Sequence, residues 1–292
     1  MPELPEVETM VRGIRPVATG AVVSRVEFCR CTRRPIPVIP DRRLFRKGIE
    51  GLTISEVTRV AKRICIILYN NKHHSANARP SAIPIAGIVV IEPRMTGLLL
   101  TADPPTTAHR RVCFHLNQNS TPSAFEFWDR RGLGTLTLMT PEQFDDLKQR
   151  IGRDALEISV QEIAVFCHRT ARPIKVVLLD QSLIGGIGNL YASEILFRAA
   201  VSPERPANSL SDQEIHRIQQ EIQTVLLDAI DNEGSTLGDG TYRTALNQEG
   251  GFQNHHLVYD KEGCLCSRCQ RQVIQRIVQA QRSTFFCSHC QR

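Results

Sequence analysis

Two Cys-x-x-Cys pairs near the end of the chain constrain its fold more than any other feature of the sequence. Cys266 and Cys269 form the first pair, Cys287 and Cys290 form the second, and 17 residues separate them. This spacing is typical of a tetrahedral zinc site. Because four protein ligands leave no coordination position open, we expect one structural Zn²⁺ ion. Cys264 is an alternative first ligand, but its longer spacer to Cys269 makes it the weaker one.

The segment between the two pairs, which contains VIQRIVQAQRSTFF, predicts two strands with a turn near residues 280–283. A structural zinc site supplies about 10–16 kcal/mol, enough to fold a segment with little apolar core. We therefore expect a zinc-finger β-hairpin domain over residues 251–292.

Basic residues cluster at two places in a chain of net charge +6. The stretch from Arg30 to Lys47 holds seven basic residues and one acid, and residues 263–292 hold five arginines and no acid. Two such clusters favour a polyanionic partner, nucleic acid first, although each could be only a solvated face.

The sequence offers no candidate for a membrane span, because no apolar run approaches about 18 residues. The opening residues, MPELPEVETM, do not resemble a signal peptide. We expect a cytoplasmic monomer that is nucleoid-associated when on DNA, and in that compartment disulfides are not expected.

The periodicity of apolar residues predicts an α+β protein of several domains. Residues 3–14 have helical spacing, and eight short β-type runs follow, which favours an antiparallel β-sandwich for residues 1–140. From Pro141 the period becomes helical. We expect a helical domain over residues 141–250, before the zinc finger.

Pro2 is the most reactive candidate in the sequence. Removal of the initiator methionine would expose a secondary α-amine, and a terminal amine of pKa about 7.7–8.0 is partly neutral and nucleophilic at physiological pH. Glu3 and Glu6 lie beside it, suitably spaced to move protons at the start of a helix. The alternative is that Pro and Glu only favour the first turn of a helix.

A glycine-rich turn, residues 185–188, separates two predicted helices and precedes Asn189. Its backbone N–H groups and the helix N-terminus suit a phosphate, with Asn189 expected as the N-cap. An ordinary capped turn would have the same sequence.

Five segments, in order, resemble the formamidopyrimidine-DNA glycosylases, which share their architecture with endonuclease VIII. Residues 2–9, Pro-Glu-Leu-Pro-Glu-Val-Glu-Thr, resemble the family's opening, and residues 59–62 resemble its catalytic-lysine hairpin. Residues 95–97 resemble its Met-Ser-Gly loop, and the turn before Asn189 resembles its helix–two-turn–helix. Residues 281–287 match its finger.

The resemblance implies a bifunctional base-excision enzyme that binds damaged double-stranded DNA and flips a damaged base into a pocket between the domains. By this resemblance Pro2 attacks C1′ and forms a Schiff base, Glu3 protonates the opening sugar and Glu6 supports it. Lys62 would contact the phosphate and assist β-elimination, and Arg282 would hold the lesion's phosphate and assist δ-elimination.

The same resemblance assigns DNA contacts to further residues. Some would fill the void left by the extruded base: Met95, Arg131 and Leu133. Three others would bind the DNA elsewhere, chiefly at its backbone: His109, Lys175 and Asn189.

Three departures from the family pattern bear on lesion preference. The family's Asp-Pro-Arg-Arg-Phe-Gly loop is Asp-Arg-Arg-Gly-Leu-Gly at residues 129–134, so Gly132 replaces an arginine and Leu133 a wedge phenylalanine. Its His-Leu-Gly is Glu-Pro-Arg at residues 92–94, which removes a phosphate-contacting histidine. The loop over residues 239–253 also differs.

Endonuclease VIII-type proteins usually differ at the position of Leu4, so the resemblance implies oxidised purines, 8-oxoguanine and formamidopyrimidines, as substrates. The alternatives are an endonuclease VIII-like enzyme for oxidised pyrimidines and a non-catalytic DNA-binding homologue.

Overall fold

The computed structural model describes residues 2–70, 84–118 and 121–292. The chain divides into two compact units. The first contains residues up to Gln149 together with 233–250, and the second contains 150–232 together with 251–292. Among the described residues, no helix combines the length and apolar character that a membrane span requires.

The first unit begins with helix α1 (Leu4–Ala18). Glu3 is its N-cap and Pro5 lies in its first turn, where a missing N–H has no cost. Its apolar stripe, which includes Val7, Met10 and Ile14, is fully buried. A second helix, α2 (Arg42–Ile49), follows two strands, and its N-cap Asp41 accepts hydrogen bonds from two backbone N–H groups.

In the described part of the first unit, nine strands form one hydrogen-bonded sheet in the order β2-β9-β5-β4-β3-β1-β7-β8-β6. All neighbouring pairs are antiparallel except the short β2–β9 pair. The strands are β1 (Val22–Phe28), β2 (Val38–Ile39), β3 (Thr53–Val60), β4 (Arg63–Tyr69), β5 (Ile85–Glu92), β6 (Gly97–Leu100), β7 (Arg110–Gln118), β8 (Thr121–Asp129) and β9 (Thr135–Met139).

The β1 and β3 sides of this sheet are joined by a short antiparallel pairing around Val22 and Thr53. One apolar core receives side chains from both sides and from α1, as a sandwich requires. Strand β4 is apolar along most of its length because both of its faces are covered. Ile64 and Ile66 face that core, whereas Cys65 lies against helix α3 (Pro141–Arg150) in a smaller cluster.

The second unit is mainly helical. It contains α4 (Val160–His168), α5 (Ile174–Leu178), α6 (Asn189–Arg198) and α7 (Asp212–Asp231), with a small parallel pair, β10 (Arg153–Asp154) and β11 (Ile184–Gly185). Ser159 and Ser211 cap α4 and α7, and each forms a capping box with a glutamate three residues later.

The chain ends in an antiparallel hairpin of β12 (Gln275–Gln279) and β13 (Arg282–Phe286). Both residues of its turn, Ala280 and Gln281, have positive φ, as a two-residue hairpin turn favours. The predicted α+β fold is therefore confirmed: a first helix with an antiparallel sheet, a helical region and a C-terminal hairpin with four neighbouring cysteines.

Candidate functional site

The first turn of α1 holds the acidic candidates of the first unit. The backbone N–H of Glu3 donates to Glu6 Oε2 at 2.8 Å, and the N–H of Ser235 donates to Glu6 Oε1 at 2.8 Å. Pro2, Glu3 and Glu6 are all buried. Both oxygens of Glu6 thus accept backbone N–H groups, so its carboxylate fixes the turn that carries Pro2 and Glu3.

Segment 233–242 fits closely against this turn. Gly234 has φ +79°, and a Cβ there would lie 2.9 Å from Glu6 Oε1, so only glycine suits the position. The Tyr242 hydroxyl donates to the carbonyl of Glu233 at 2.9 Å. Burial, followed by the charge of Glu6, raises the pKa of Tyr242 well above its usual value, so the phenol stays neutral.

Lys62 lies in the tight turn between β3 and β4, after Ala61 with φ +51°. Arg59 connects this turn to α1. Its Nε lies 3.1 Å from Glu8 Oε2, and its Nη1 donates to the carbonyl of Ala61 at 3.0 Å. An ion pair that is largely buried therefore holds the Lys62 turn against the helix that begins after Pro2 and Glu3.

The void-filling candidates lie on two loops that are bonded to each other. Thr96 Oγ1, next to Met95, donates to Asp129 Oδ1 at 2.5 Å and accepts from the N–H of Arg131 at 3.0 Å. Met95 and Arg131 are exposed, and Leu133 is half-buried. The structure therefore brings all three onto one connected surface of the first unit.

His109 lies just before β7, and its ring meets Trp128 edge-on with centroids 5.4 Å apart. Burial is the largest cause that lowers the pKa of His109, and the charges of Arg111, Arg33 and Arg130 lower it further. The imidazole is therefore neutral at pH 7 and lies in a positive field.

In the second unit, a buried ammonium joins Asn189 to the hairpin. Lys175 Nζ donates to Asn189 Oδ1 at 2.8 Å and to Thr284 Oγ1 at 2.7 Å. Asn189 Nδ2 donates to the carbonyl of Ser283 at 2.8 Å. Arg282 is exposed at the start of β13 and lies directly before Ser283 in the chain. Lys175, Asn189 and Arg282 are therefore neighbours, although Lys175 itself is fully buried.

The expected N-cap of α6 is wrong by one residue. Gly188 occupies that position and Asn189 is the first residue of the helix. The Asn189 side chain turns toward Lys175 and the hairpin, where both ends of its amide have partners, whereas the helix N–H groups could bond only to its oxygen.

The thiols of Cys266, Cys269, Cys287 and Cys290 lie within 4.8 Å of one another. Two of the S–S separations, Cys266 to Cys290 and Cys269 to Cys287, are 3.8 Å. A tetrahedron with metal–sulfur bonds of about 2.3 Å has edges of about 3.8 Å, so the four thiols fit a metal ion. Cys264 is exposed and lies outside the group.

Several residues that position these groups are not among the site residues predicted from the sequence. Ser235 and Arg59 reach the N-terminal turn only through tertiary contacts. Asp129 is fully buried, and Arg111, 4% exposed, donates to the Asp129 carbonyl from both Nε and Nη2. A charged residue beside apolar strand positions is the only hint that the sequence gives of such a role.

Two family models match the chain. One, described as the formamidopyrimidine-DNA glycosylase N-terminal domain, matches residues 1–136, and the other, its H2TH domain, matches residues 151–240. A formamidopyrimidine-DNA glycosylase of Azorhizobium caulinodans is 37% identical over 305 residues and covers 100% of both chains.

Solved structures are also similar over the whole length. The MutM (Fpg) protein of Thermus thermophilus is 33% identical, with a TM-score of 0.80 over 99% of this chain and 98% of that one. The Lactococcus lactis Fpg is 29% identical and covers 100% of both chains. It was solved as a mutant with Fapy-dG-containing DNA, TM-score 0.82, and as the wild type with DNA containing an oxidised pyrimidine, TM-score 0.81.

Proposed function

Because the chain belongs to the formamidopyrimidine-DNA glycosylase family of DNA-repair glycosylases, we propose that it excises oxidised purines from duplex DNA and nicks the strand by β,δ-elimination. The observation that carries this proposal is the N-terminal turn, where Glu6 fixes the backbone beside Pro2 and Glu3. Such a turn holds a nucleophile and an acid together, as covalent catalysis requires.

In the proposed reaction the Pro2 amine, freed by removal of Met1, attacks C1′ of the damaged nucleotide. Met1 lies outside the described residues. The glycosidic bond breaks, the base leaves with the bonding electrons, and Glu3 protonates the sugar oxygen as the ring opens to an iminium. Loss of a C2′ proton to water then breaks the C3′–O bond and expels the 3′ phosphate. In a second elimination, loss of the C4′ proton to water breaks the C5′–O bond and expels the 5′ phosphate. Glu6 acts through the turn that it holds.

The remaining residues are proposed to bind DNA. Lys62 contacts the lesion's phosphate from the turn that Arg59 fixes, and Arg282 holds the same phosphate and assists δ-elimination. Arg282 suits this role because a guanidinium offers a rigid fork of donors. Lys175 acts through Asn189, because its own ammonium is buried against the Asn189 amide.

We propose that Met95, Arg131 and Leu133 fill the void in the duplex, and that His109 contacts the backbone. Their connected surface supports this assignment. A leucine wedges a base step without aromatic stacking.

The four-cysteine group is proposed to hold one Zn²⁺ ion, which the thiol geometry fits. With all four positions taken by sulfur, the ion stabilises the hairpin that carries Arg282 and supplies no step of the reaction.

Borohydride trapping tests the proposal. Reduction of the iminium should fix the protein to a duplex with 8-oxoguanine opposite cytosine, visible as a mass shift that Pro2→Gly weakens. A Glu56→Gln variant, exposed on β3, serves as the matched control and should trap normally. If neither a base lesion nor an abasic site traps, the catalytic proposal is wrong and a DNA-binding homologue remains.

Oxidised pyrimidines are the second candidate substrate. The Lactococcus lactis relative was solved with both kinds of lesion, and Leu133 lacks the aromatic ring of the family's wedge. Trapping on a thymine-glycol duplex but not on 8-oxoguanine would favour this reading.

A further inference from the structure

Gly132 marks the place where this chain departs from the family's two-arginine loop. It has φ +66°, and a Cβ there would lie 2.3 Å from the carbonyl oxygen of Arg34. No side chain fits at that distance. The backbone of the basic segment 30–34 therefore occupies the space beside the loop that carries Arg131 and Leu133.

Arg111 fastens this segment in place. Its Nη1 donates to the Arg34 carbonyl at 2.9 Å, and its Nε and Nη2 donate to the Asp129 carbonyl at 2.8 and 2.7 Å. Because one buried guanidinium binds both backbones, the segment and the loop are held as a single surface.

Positive charge is concentrated on this surface. The charges of Arg33, Arg111 and Arg130 all lower the pKa of His109, and Asp129, which opposes them there, is fully buried. Cys31 Sγ donates to the Ala108 carbonyl at 3.2 Å, so the segment that carries Arg33 lies beside His109. Arg33 is exposed, and in the described residues its guanidinium makes no hydrogen bond or ion pair. Cations gathered in this way repel one another until an anion arrives.

We propose that Arg33 binds a phosphate of the DNA backbone beside His109. In this chain Arg33 would thereby place a cation next to the loop position where Gly132 replaces the family's arginine. The inference rests on the proposed function, since it requires duplex DNA as the partner. A phosphate is the fitting ligand, because an exposed guanidinium binds it through two parallel N–H donors.

The salt dependence of DNA binding tests the proposal. Affinity for a duplex with a non-cleavable abasic analogue should fall by up to about eightfold at about 0.1 M salt in Arg33→Ala. The slope of log K against log salt should become shallower by about 0.9, the value for one phosphate contact. Arg33→Lys should keep most of the slope, because the charge remains.

Arg25→Ala is the matched control. Arg25 is exposed on β1 of the same unit and is ion-paired with Glu27, so this change removes the same charge from another place. We expect its slope to equal that of the unmodified protein. If Arg33→Ala and Arg25→Ala have equal slopes of log K against log salt while the unmodified protein binds normally, the inference about Arg33 is wrong and the proposed function is unaffected. Failure of the unmodified protein to bind or trap DNA would overturn the proposed function, and the inference with it.

Discussion

The carboxylate of Glu6 holds the N-terminal turn in place. Each of its oxygens accepts one backbone N–H, from Glu3 and from Ser235. In Glu6→Gln an amide NH₂ must face one of these donors. We expect the free energy of unfolding to fall by about 1–3 kcal/mol, the usual result of leaving a buried polar group unsatisfied, and borohydride trapping to slow.

Denaturant unfolding measures this prediction. Glu56→Gln removes the same charge at an exposed position of the same unit and should leave stability within about 0.5 kcal/mol. Equal stability of the two variants would mean that Glu6 does not hold the turn.

His256 gives the second unit a pH dependence. Burial, and next the charge of Lys261, lowers the pKa of His256 to about 4, whereas an unfolded histidine titrates near 6.5. The unfolded chain therefore binds the proton first as the pH falls. The contribution of the neutral ring to the free energy of unfolding is therefore fully present above about pH 6.5. It is lost as the pH falls toward 4, and the total loss is about 3 kcal/mol.

Unfolding at a series of pH values checks this dependence. His256→Phe, which retains a ring against Phe252 and Tyr259, should flatten the acid limb of the stability profile. His216→Gln, at an exposed position of α7 in the same unit, should leave it unchanged. An unaltered acid limb in His256→Phe would contradict the assignment.

At the scale of single elements, local pattern predicted most of the structure. The long amphipathic α7 and the β12–β13 hairpin follow from spacing and turn residues alone. The N-cap of α6 did not follow, because Asn189 finds better partners in Lys175 and Ser283 than in its own helix. A side chain with a choice between local and distant partners cannot be placed from its neighbours in sequence.

Glu194 of α6 holds the backbone of residues 257–259 against its helix. This fully buried residue of α6 accepts backbone N–H groups from Leu257, Val258 and Tyr259 at 2.9, 3.0 and 2.8 Å. In Glu194→Gln the amide keeps one acceptor oxygen, so the N–H of Leu257 should lose its partner because it alone bonds to Oε2. We expect a loss of about 1–3 kcal/mol.

Hydrogen exchange provides the local measurement for this variant. Protection of the Leu257 amide should fall first, while amides of α7 keep theirs. Glu204→Gln, exposed in the same unit, is the control. Unchanged protection at Leu257 would show that the carboxylate is not what holds the segment.

For the whole molecule, long-range contacts are what the sequence predicted least. Residue type and spacing made Pro2 and the four cysteines candidates, and the family resemblance added Lys62. The contact of Glu6 with Ser235 spans 229 residues, and that of Arg111 with Arg34 spans 77. Such contacts depend on how strands and loops pair at long range, which no local pattern specifies.

Removal of the metal should unfold the hairpin of the second unit and leave the first unit folded. In the hairpin the buried cluster is small, and two of its members, Cys266 and Cys287, are themselves proposed ligands. The first unit has a large apolar core without a metal site among its described residues. A chelator should therefore unfold the hairpin and abolish DNA binding, because Arg282 loses its support, while amides of β4 and β5 stay protected.

Two cysteine variants make this last prediction specific. Cys290→Ser removes a thiol from the group of four, so it should lower the zinc content well below one ion per chain and expose the amides of β13. Cys264→Ser removes an exposed thiol outside the group and should keep one zinc ion and full DNA binding. Loss of zinc in Cys264→Ser, or a protected hairpin in Cys290→Ser, would show that the ligand set is different or that the apolar contacts alone hold the finger.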